Sequence, residues 1–131
     1  LKMRCAFLFP GQGSQAIGMG EDFFNNSEVA KKICENASEK TGINFRDLLF
    51  KSNSNLEQTE YTQPAILLVS LVAHKLFENE LPLKPVYALG HSLGEVSALA
   101  SVGAIDIIEA VELVHKRGIF MRDACQDKSV G

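Results

Sequence analysis

The pentapeptide at residues 90–94, GHSLG, constrains the fold more than any other feature because it matches the pattern G-x-S-x-G. The apolar segment before it, residues 85–89, reads as a buried strand, and the residues after it have helical character. A sharp strand-to-helix turn of this kind strains the backbone of its serine, so its two outer positions must be small. Gly90 and Gly94 meet that demand. The pattern predicts an α/β fold with Ser92 at the carboxyl end of a strand.

In that context Ser92 is a candidate nucleophile. The backbone N–H of Leu93, at the start of the next helix, would face the oxyanion of a tetrahedral intermediate, near the positive end of the helix dipole. The alternative is a surface turn that matches by chance, but the flanking strand and helix favour the nucleophile. Side chains at adjacent positions of a sharp turn diverge, so we expect His91 to support the loop rather than to act as the base.

A second apolar run, residues 4–9, also reads as a buried strand and ends in the loop PGQGSQ, residues 10–15. Ligands of open α/β sheets bind outside the carboxyl ends of the strands, so this loop could border the same crevice as Ser92. The loop lacks G-x-x-x-x-G-K-[ST] and a third glycine at dinucleotide spacing, so nucleotide binding is not expected. A plain connection between strand and helix remains the alternative.

Taken together, these segments resemble the malonyl-CoA:acyl carrier protein transacylases of fatty acid synthesis. Motifs of that family occur here in order at residues 9–15 (FPGQGSQ), 61–65 (YTQPA), 90–95 (GHSLGE) and 117–121 (RGIFM). The resemblance implies a parallel-sheet core of the α/β-hydrolase-like large acyltransferase subdomain, incomplete in this chain. Residues 1–131 would form its N-terminal part. The family's ferredoxin-like small subdomain, C-terminal part and catalytic histidine would not be in this sequence.

The resemblance also implies roles for individual residues. Ser92 would carry the acyl group, the N–H groups of Gln12 and Leu93 would form the oxyanion hole, and Arg117 would pair with the malonyl carboxylate. The residues expected to support this site are Gly11, Gln63, Gly90, His91 and Gly94. Malonyl-CoA is the implied substrate and acyl carrier protein the implied partner, with no cofactor and no metal.

Arg117 can also be weighed from the residues alone. Residues 106–125 read as one helix, with Arg117 as the single charge on a stripe otherwise made of Ile107, Ala110, Val114, Met121 and Ala124. A guanidinium on such a stripe is costly unless it meets an anion, and its planar fork suits a carboxylate. The alternative is a side chain whose head reaches out to water. On the opposite face, Glu112 and Lys116 have the spacing of an i, i+4 ion pair.

Composition excludes several classes of function. The net charge of −3 and the dispersed basic residues provide no footprint for nucleic acid. No apolar run has the length of a membrane span and no signal peptide is visible, so we expect a cytoplasmic protein. Cys5, Cys34 and Cys125 are widely spaced without a C-x-x-C, which suggests reduced thiols rather than a disulfide framework or a zinc site.

The remaining segments complete an α/β layout. Ser27 is expected to cap a helix over residues 28–40, with Val29, Ile33 and Ala37 on one face and Gly42 as its stop. Residues 51–60 read as a solvated loop. A buried, apolar helix is predicted from Thr62 to Asn79 with Pro64 in its first turn. Two strands separated by helices favour a parallel sheet, with residues 86–89 central.

Three functions are consistent with these observations. The leading one is malonyl transfer from coenzyme A to acyl carrier protein through a serine-bound acyl intermediate. The elbow is shared with esterases, so a serine hydrolase is the alternative, although no H-G-G-G motif is visible. The third is a non-catalytic fragment, if the chain truly ends at Gly131. Because neither His74 nor His115 is expected to be more than an ordinary helix residue, residues 1–131 alone should be nearly inactive.

Overall fold

The computed structural model describes residues 3–127, except for the side chain of residue 127; residues 1–2 and 128–131, Gly131 included, lie outside it. Helices pack against one face of a short sheet whose strands pair in parallel, Ala6 opposite Tyr87 and Phe9 opposite Gly90. This confirms the predicted α/β class and parallel pairing. The elements are, in order, β1 (Ala6–Phe9), α1 (Glu21–Asn26), α2 (Glu28–Thr41), α3 (Phe45–Phe50), a 3-10 turn (Asn55–Glu57), α4 (Thr59–Glu80), β2 (Tyr87–Gly90), α5 (Leu93–Ser101) and α6 (Ile107–Asp127).

The prediction that both strands are buried is wrong for this part of the chain. Phe7 packs edge-on against His74 of α4, with ring centroids 5.4 Å apart, so one face of the sheet is covered. On the opposite face Leu8, Tyr87 and Leu89 are 73%, 65% and 53% exposed. No other element within residues 3–127 covers that face. The described sheet has two strands, so a central position for β2 stays a prediction.

Helix α2 follows the sequence prediction closely. The Ser27 hydroxyl accepts a hydrogen bond from the Ala30 N–H at 3.2 Å, which satisfies one of the free donors of the first turn. Gly42 ends the helix at φ 75°, a left-handed conformation that glycine adopts without strain. On the predicted face, Ala37 is buried and Ile33 packs against the core, as expected, but Val29 is exposed and Ala30 is buried in its place.

The segment expected to be a solvated loop is ordered by its own polar side chains. The Asn53 carbonyl oxygen Oδ1 accepts hydrogen bonds from the backbone N–H groups of Asn55 and Leu56 at 2.9 and 3.0 Å. The Leu56 side chain, 1% exposed, anchors this turn in the core. Helix α4 consequently starts at Thr59 rather than at Thr62.

This earlier start places Pro64 in the second turn of α4, not in the first turn as predicted. Proline has no N–H to donate to the carbonyl four residues before it, so the Glu60 carbonyl has no donor within the helix. His115 of α6 fills the gap, because its Nδ1 lies 2.8 Å from the Glu60 carbonyl oxygen. The bond requires a proton on Nδ1, since a carbonyl oxygen only accepts. A neighbouring helix thus completes the backbone bonding of α4.

Helices α4 and α6 form the main helix contact of the core. In α4, Ala65, Leu67 and Leu68 are fully buried, which confirms the predicted apolar helix. In α6, Gly118 brings the two backbones together: a Cβ at this position would lie 2.6 Å from the Glu60 Cα. The described helices include none with the length and apolarity that crossing a membrane requires.

Helix α6 is also tied to α2 at its solvent side. Glu112 pairs with Lys116 at 2.8 Å, as predicted, and with Lys40 of α2 at 3.3 Å. Hydrogen bonds from the two ammonium groups lower the pKa of Glu112, and the one from Lys116 has the larger effect. Because these pairs are partly exposed, each contributes little to stability.

The role of His115 can be tested with a double-mutant cycle. Replacing His115 by Phe keeps the ring but leaves the buried Glu60 carbonyl unpaired, which should cost about 1–3 kcal/mol. Replacing Pro64 by Ala restores an N–H for the same carbonyl. In the P64A background, the His115→Phe penalty should therefore fall by about 1 kcal/mol or more. Chemical denaturation measures all four proteins, and equal penalties in both backgrounds would contradict the assignment.

Gly118→Ala should destabilise the protein, although a helical Gly→Ala change ordinarily stabilises by about 1 kcal/mol. The added methyl group meets the backbone of α4, and such overpacking costs about 1–3 kcal/mol. Phe120→Ala, a change on the same helix at a side chain that is 72% exposed, serves as the control. A Gly118→Ala protein with a higher unfolding midpoint than wild type would show that the helices separate freely.

Candidate functional site

Ser92 occupies the sharp turn between β2 and α5. Its φ of 56° and ψ of −114° make it the one non-glycine residue with positive φ among residues 3–127. Such a conformation costs about 1–3 kcal/mol and persists only where its surroundings enforce it. Here the Gly94 N–H donates to the His91 carbonyl at 2.9 Å, and the Glu95 N–H donates to the Ser92 carbonyl at 3.0 Å.

The glycines around the turn are required by close backbone contacts. A Cβ on Gly90 would lie 1.9 Å from the carbonyl of Gly94, and a Cβ on Gly94 would lie 2.3 Å from the Phe9 carbonyl oxygen. The loop after β1 approaches the same turn, since a Cβ on Gly11 would lie 2.5 Å from the His91 carbonyl oxygen. The structure therefore brings the glycine loop and the serine turn together, as the sequence predicted.

The two residues whose N–H groups are assigned to an oxyanion hole lie on segments that meet at this junction. Leu93 is the first residue of α5, so its N–H has no acceptor within the helix. Gln12 follows Gly11 in the loop that packs on the turn, and its side chain is exposed. Both residues that the family resemblance names as oxyanion donors thus lie on the segments that meet at the serine turn.

Arg117 reaches this junction from α6. Its Nη2 donates to the Ser92 hydroxyl oxygen at 3.0 Å and its Nη1 to the Gln63 side-chain oxygen at 2.6 Å. The guanidinium therefore faces the serine. Within residues 3–127 it forms no ion pair, and the two oxygens it contacts are neutral.

The stripe used to single out Arg117 is only partly correct. Ala110 and Val114 are buried as expected, but Met121 is 40% exposed and Ala124 is exposed too. Val111, rather than Met121 or Ala124, completes the buried face of α6. Arg117 thus lies at the edge of the packed face, where its stem is half-buried and its head enters the site.

Gln63 is the buried centre of the site. It is fully buried, and its Nε2 donates to the Thr59 hydroxyl at 3.0 Å and to the Met121 sulfur at 3.2 Å. The Thr59 hydroxyl in turn donates to the side-chain oxygen of Gln12 at 2.8 Å. Sequence reasoning missed Thr59 because it placed the start of α4 after it. The i, i+4 spacing of Thr59 and Gln63 would otherwise have indicated the contact.

The described histidines lie away from the serine hydroxyl. His74 packs against Phe7 and Phe9, and His115 bonds the Glu60 carbonyl. His91 contributes its carbonyl to the turn, and its ring lies close to Gly11. In residues 3–127, none of the three imidazoles hydrogen-bonds to Ser92.

The cysteines lie outside this site. Cys5, Cys34 and Cys125 are all free thiols, as the sequence predicted. Burial raises the pKa of Cys34, an effect that Arg46 partly opposes, so its thiol is protonated near neutral pH. Within residues 3–127, no three His, Cys, Asp or Glu side chains come together as they would to hold a metal ion.

Comparison with known proteins assigns this arrangement to a family. A family model described as "Acyl transferase domain" matches residues 6–129. The chain belongs to the acyl transferase domain family. The resemblance predicted from the sequence motifs is confirmed at this level, and the serine turn and the arginine both fall within the matched part of the acyl transferase domain.

Individual relatives and structures agree. A malonyl CoA-acyl carrier protein transacylase of Bacillus subtilis is 45% identical over 120 residues, which cover 91% of this chain and 30% of the relative. The crystal structure of malonyl-CoA:acyl carrier protein transacylase from Helicobacter pylori superposes with a TM-score of 0.90 at 49% identity, covering 94% of this chain and 40% of the other. A type II polyketide synthase acyl carrier protein in complex with its malonyl transacylase matches with a TM-score of 0.87 at 36% identity, covering 93% and 40%. The chain therefore spans less than half the length of each of these three proteins.

The strain at Ser92 predicts an unusual order of stabilities. Ser92→Gly and Ser92→Ala both remove the hydroxyl and its bond to Arg117, but only glycine relaxes at positive φ. Alanine is ordinarily the more stable of the two by about 0.5–1 kcal/mol. Here the Gly variant should unfold at the higher denaturant concentration. The opposite order would indicate that the turn carries no strain.

Proposed function

We propose that the protein transfers a malonyl group from coenzyme A to acyl carrier protein through an ester on Ser92, supplying malonyl-carrier protein for fatty acid synthesis. The observation that carries this proposal is the contact between Arg117 and Ser92, with Nη2 and Oγ 3.0 Å apart. It places a fixed cation directly beside the atom that would carry the acyl group.

The geometry suits a malonyl ester. Its carboxylate is separated from the ester carbonyl by one methylene group, so it would lie within reach of the guanidinium that now contacts the serine oxygen. The planar fork of arginine binds a carboxylate through two parallel hydrogen bonds. Acetyl lacks this carboxylate, so Arg117 provides a physical basis for selecting malonyl.

The chemistry proceeds in two acyl transfers of the same form. The Ser92 oxygen attacks the thioester carbonyl, the N–H groups of Leu93 and Gln12 stabilise the oxyanion, and the coenzyme A thiol leaves. The carrier protein thiol then attacks the ester in the reverse sense. A base must take the serine proton and return it to the departing thiol, and we assign this role to a histidine outside residues 3–127.

The names of the relatives support the substrate and the partner. The Bacillus subtilis relative is a malonyl CoA-acyl carrier protein transacylase, and the polyketide structure contains a carrier protein bound to its malonyl transacylase. We therefore propose malonyl-CoA as donor and acyl carrier protein as acceptor in the cytoplasm. In this proposal malonyl-CoA is a substrate, and no cofactor is invoked.

Ser92→Ala should abolish the covalent adduct. In the full-length protein mixed with malonyl-CoA, wild type should gain the mass of one malonyl group and the variant should gain none, because the oxyanion donors then have no nucleophile to assist. Intact-mass spectrometry with peptide mapping measures this. A malonyl group that persists in Ser92→Ala would rule out the assignment. Rapid release of free malonate by the wild-type protein would indicate a hydrolase instead.

Arg117→Ala should relax selectivity. Only malonyl loses a charge-assisted pair, worth about 1.5–3 kcal/mol, so the ratio of kcat/KM for malonyl-CoA to that for acetyl-CoA should fall roughly 10- to 150-fold. Arg46→Ala, an exposed change on α3, is the matched control and should leave the ratio unchanged. An equal loss with both substrates would make Arg117 a structural residue.

A further inference from the structure

Four side chains form a continuous hydrogen-bonded row across the site. Arg117 donates to the Gln63 Oε1 at 2.6 Å, the Gln63 Nε2 donates to the Thr59 Oγ1 at 3.0 Å, and the Thr59 Oγ1 donates to the Gln12 Oε1 at 2.8 Å. Every donor in the row points away from the guanidinium. The row therefore connects the cation beside Ser92 to the loop that carries the Gln12 N–H.

Thr59 is the link that fixes the direction of the row. The Thr59 hydroxyl oxygen accepts a hydrogen bond from Gln63 and donates its single proton to Gln12. On the other side, the Gln63 amide has both N–H groups engaged, one by Thr59 and one by the Met121 sulfur. Its oxygen is therefore held toward Arg117.

The consequences of losing the Thr59 hydroxyl follow from burial. Gln63 is fully buried, so an N–H that loses the Thr59 oxygen has no water to replace it. The amide can then turn and present N–H groups to the guanidinium, which also only donates. In either orientation one buried group is unsatisfied, and Arg117 loses its fixed anchor.

We propose that Thr59 is a positioning residue for the reaction: its hydroxyl holds Gln12 and Gln63, and through Gln63 the Arg117 guanidinium, in the arrangement that a malonyl ester on Ser92 requires. This inference rests on the proposed function. Thr59 lies in the first turn of α4, and within residues 3–127 its hydroxyl bonds Gln12 and Gln63 rather than Ser92. It therefore acts on selectivity through its neighbours.

The test compares Thr59→Val with Thr59→Ser in the full-length protein. Valine keeps the branched shape and removes the hydroxyl, whereas serine keeps the hydroxyl and removes the methyl group. Thr41→Val is the matched control, because the Thr41 hydroxyl also makes local hydrogen bonds, to Ala37 and Ile43, but lies on α2 away from the site. Kinetics with malonyl-CoA and acetyl-CoA and the rate of malonyl adduct formation are measured for each protein.

Thr59→Val should lower kcat/KM for malonyl-CoA about tenfold or more and for acetyl-CoA by less, so the malonyl-to-acetyl ratio falls. Thr59→Ser should restore the ratio to near the wild-type value, and Thr41→Val should not change it. Thr59→Val should remain folded but melt at a somewhat lower temperature than wild type, because one buried group of Gln63 is left unsatisfied. The malonyl-to-acetyl ratio, which a general loss of stability would not change, therefore decides the role of Thr59.

Three results would overturn the inference: unchanged kinetics in Thr59→Val, an equal loss with both substrates, or a Thr59→Ser protein as impaired as Thr59→Val. The proposed function fails in a different way, because wild type would then form no malonyl adduct at Ser92. The two failures are read from different proteins and are therefore separable.

Discussion

The close approach of α6 to the first turns of α4 is the contact on which the site depends. Gly118 allows it, because any side chain there would meet the backbone of Glu60. His115 stabilises it by donating to the Glu60 carbonyl at 2.8 Å. These two residues flank Arg117 along α6, so the same contact that packs the core sets where the guanidinium meets Gln63 and Ser92.

The serine turn depends on a second set of backbone contacts. Gly11, Gly90 and Gly94 let three segments approach so closely that methyl groups would not fit between them. This packing holds Ser92 in a conformation that a serine in a free loop would leave. The stability of the surrounding fold thus maintains the geometry of the reactive group, an arrangement common at functional sites.

Local patterns predicted the parts of the structure that local interactions determine. The Ser27 cap, the Gly42 stop and the elbow around Ser92 each depend on a few neighbouring residues and were predicted correctly. The start of α4 was not, because Leu56 and Asn53 order the preceding segment through side-chain contacts that composition does not reveal. The exposed strands were likewise missed, since apolarity indicates that a face can be covered but not which residues cover it.

In the site, the sequence indicated Ser92 and Arg117 by motif and by charge, but not the side chains that join them. Thr59 became visible only once α4 was seen to begin at that residue. Its contact with Gln12 joins residues far apart in the chain, and such pairings depend on how α4 lies against the loop after β1. A single sequence contains no signal for that placement.

The bond between His115 and the carbonyl that Pro64 leaves free determines the order in which positions 64 and 115 can be substituted. A chain that first exchanges Pro64 for a residue with an N–H satisfies the carbonyl from within α4, and position 115 is then released to vary. A chain that first loses His115 passes through an intermediate with a stranded buried acceptor. The same two substitutions are therefore tolerated in one order and destabilising in the other. The residues that position 115 of α6 can accept thus depend on whether α4 has a proline at position 64.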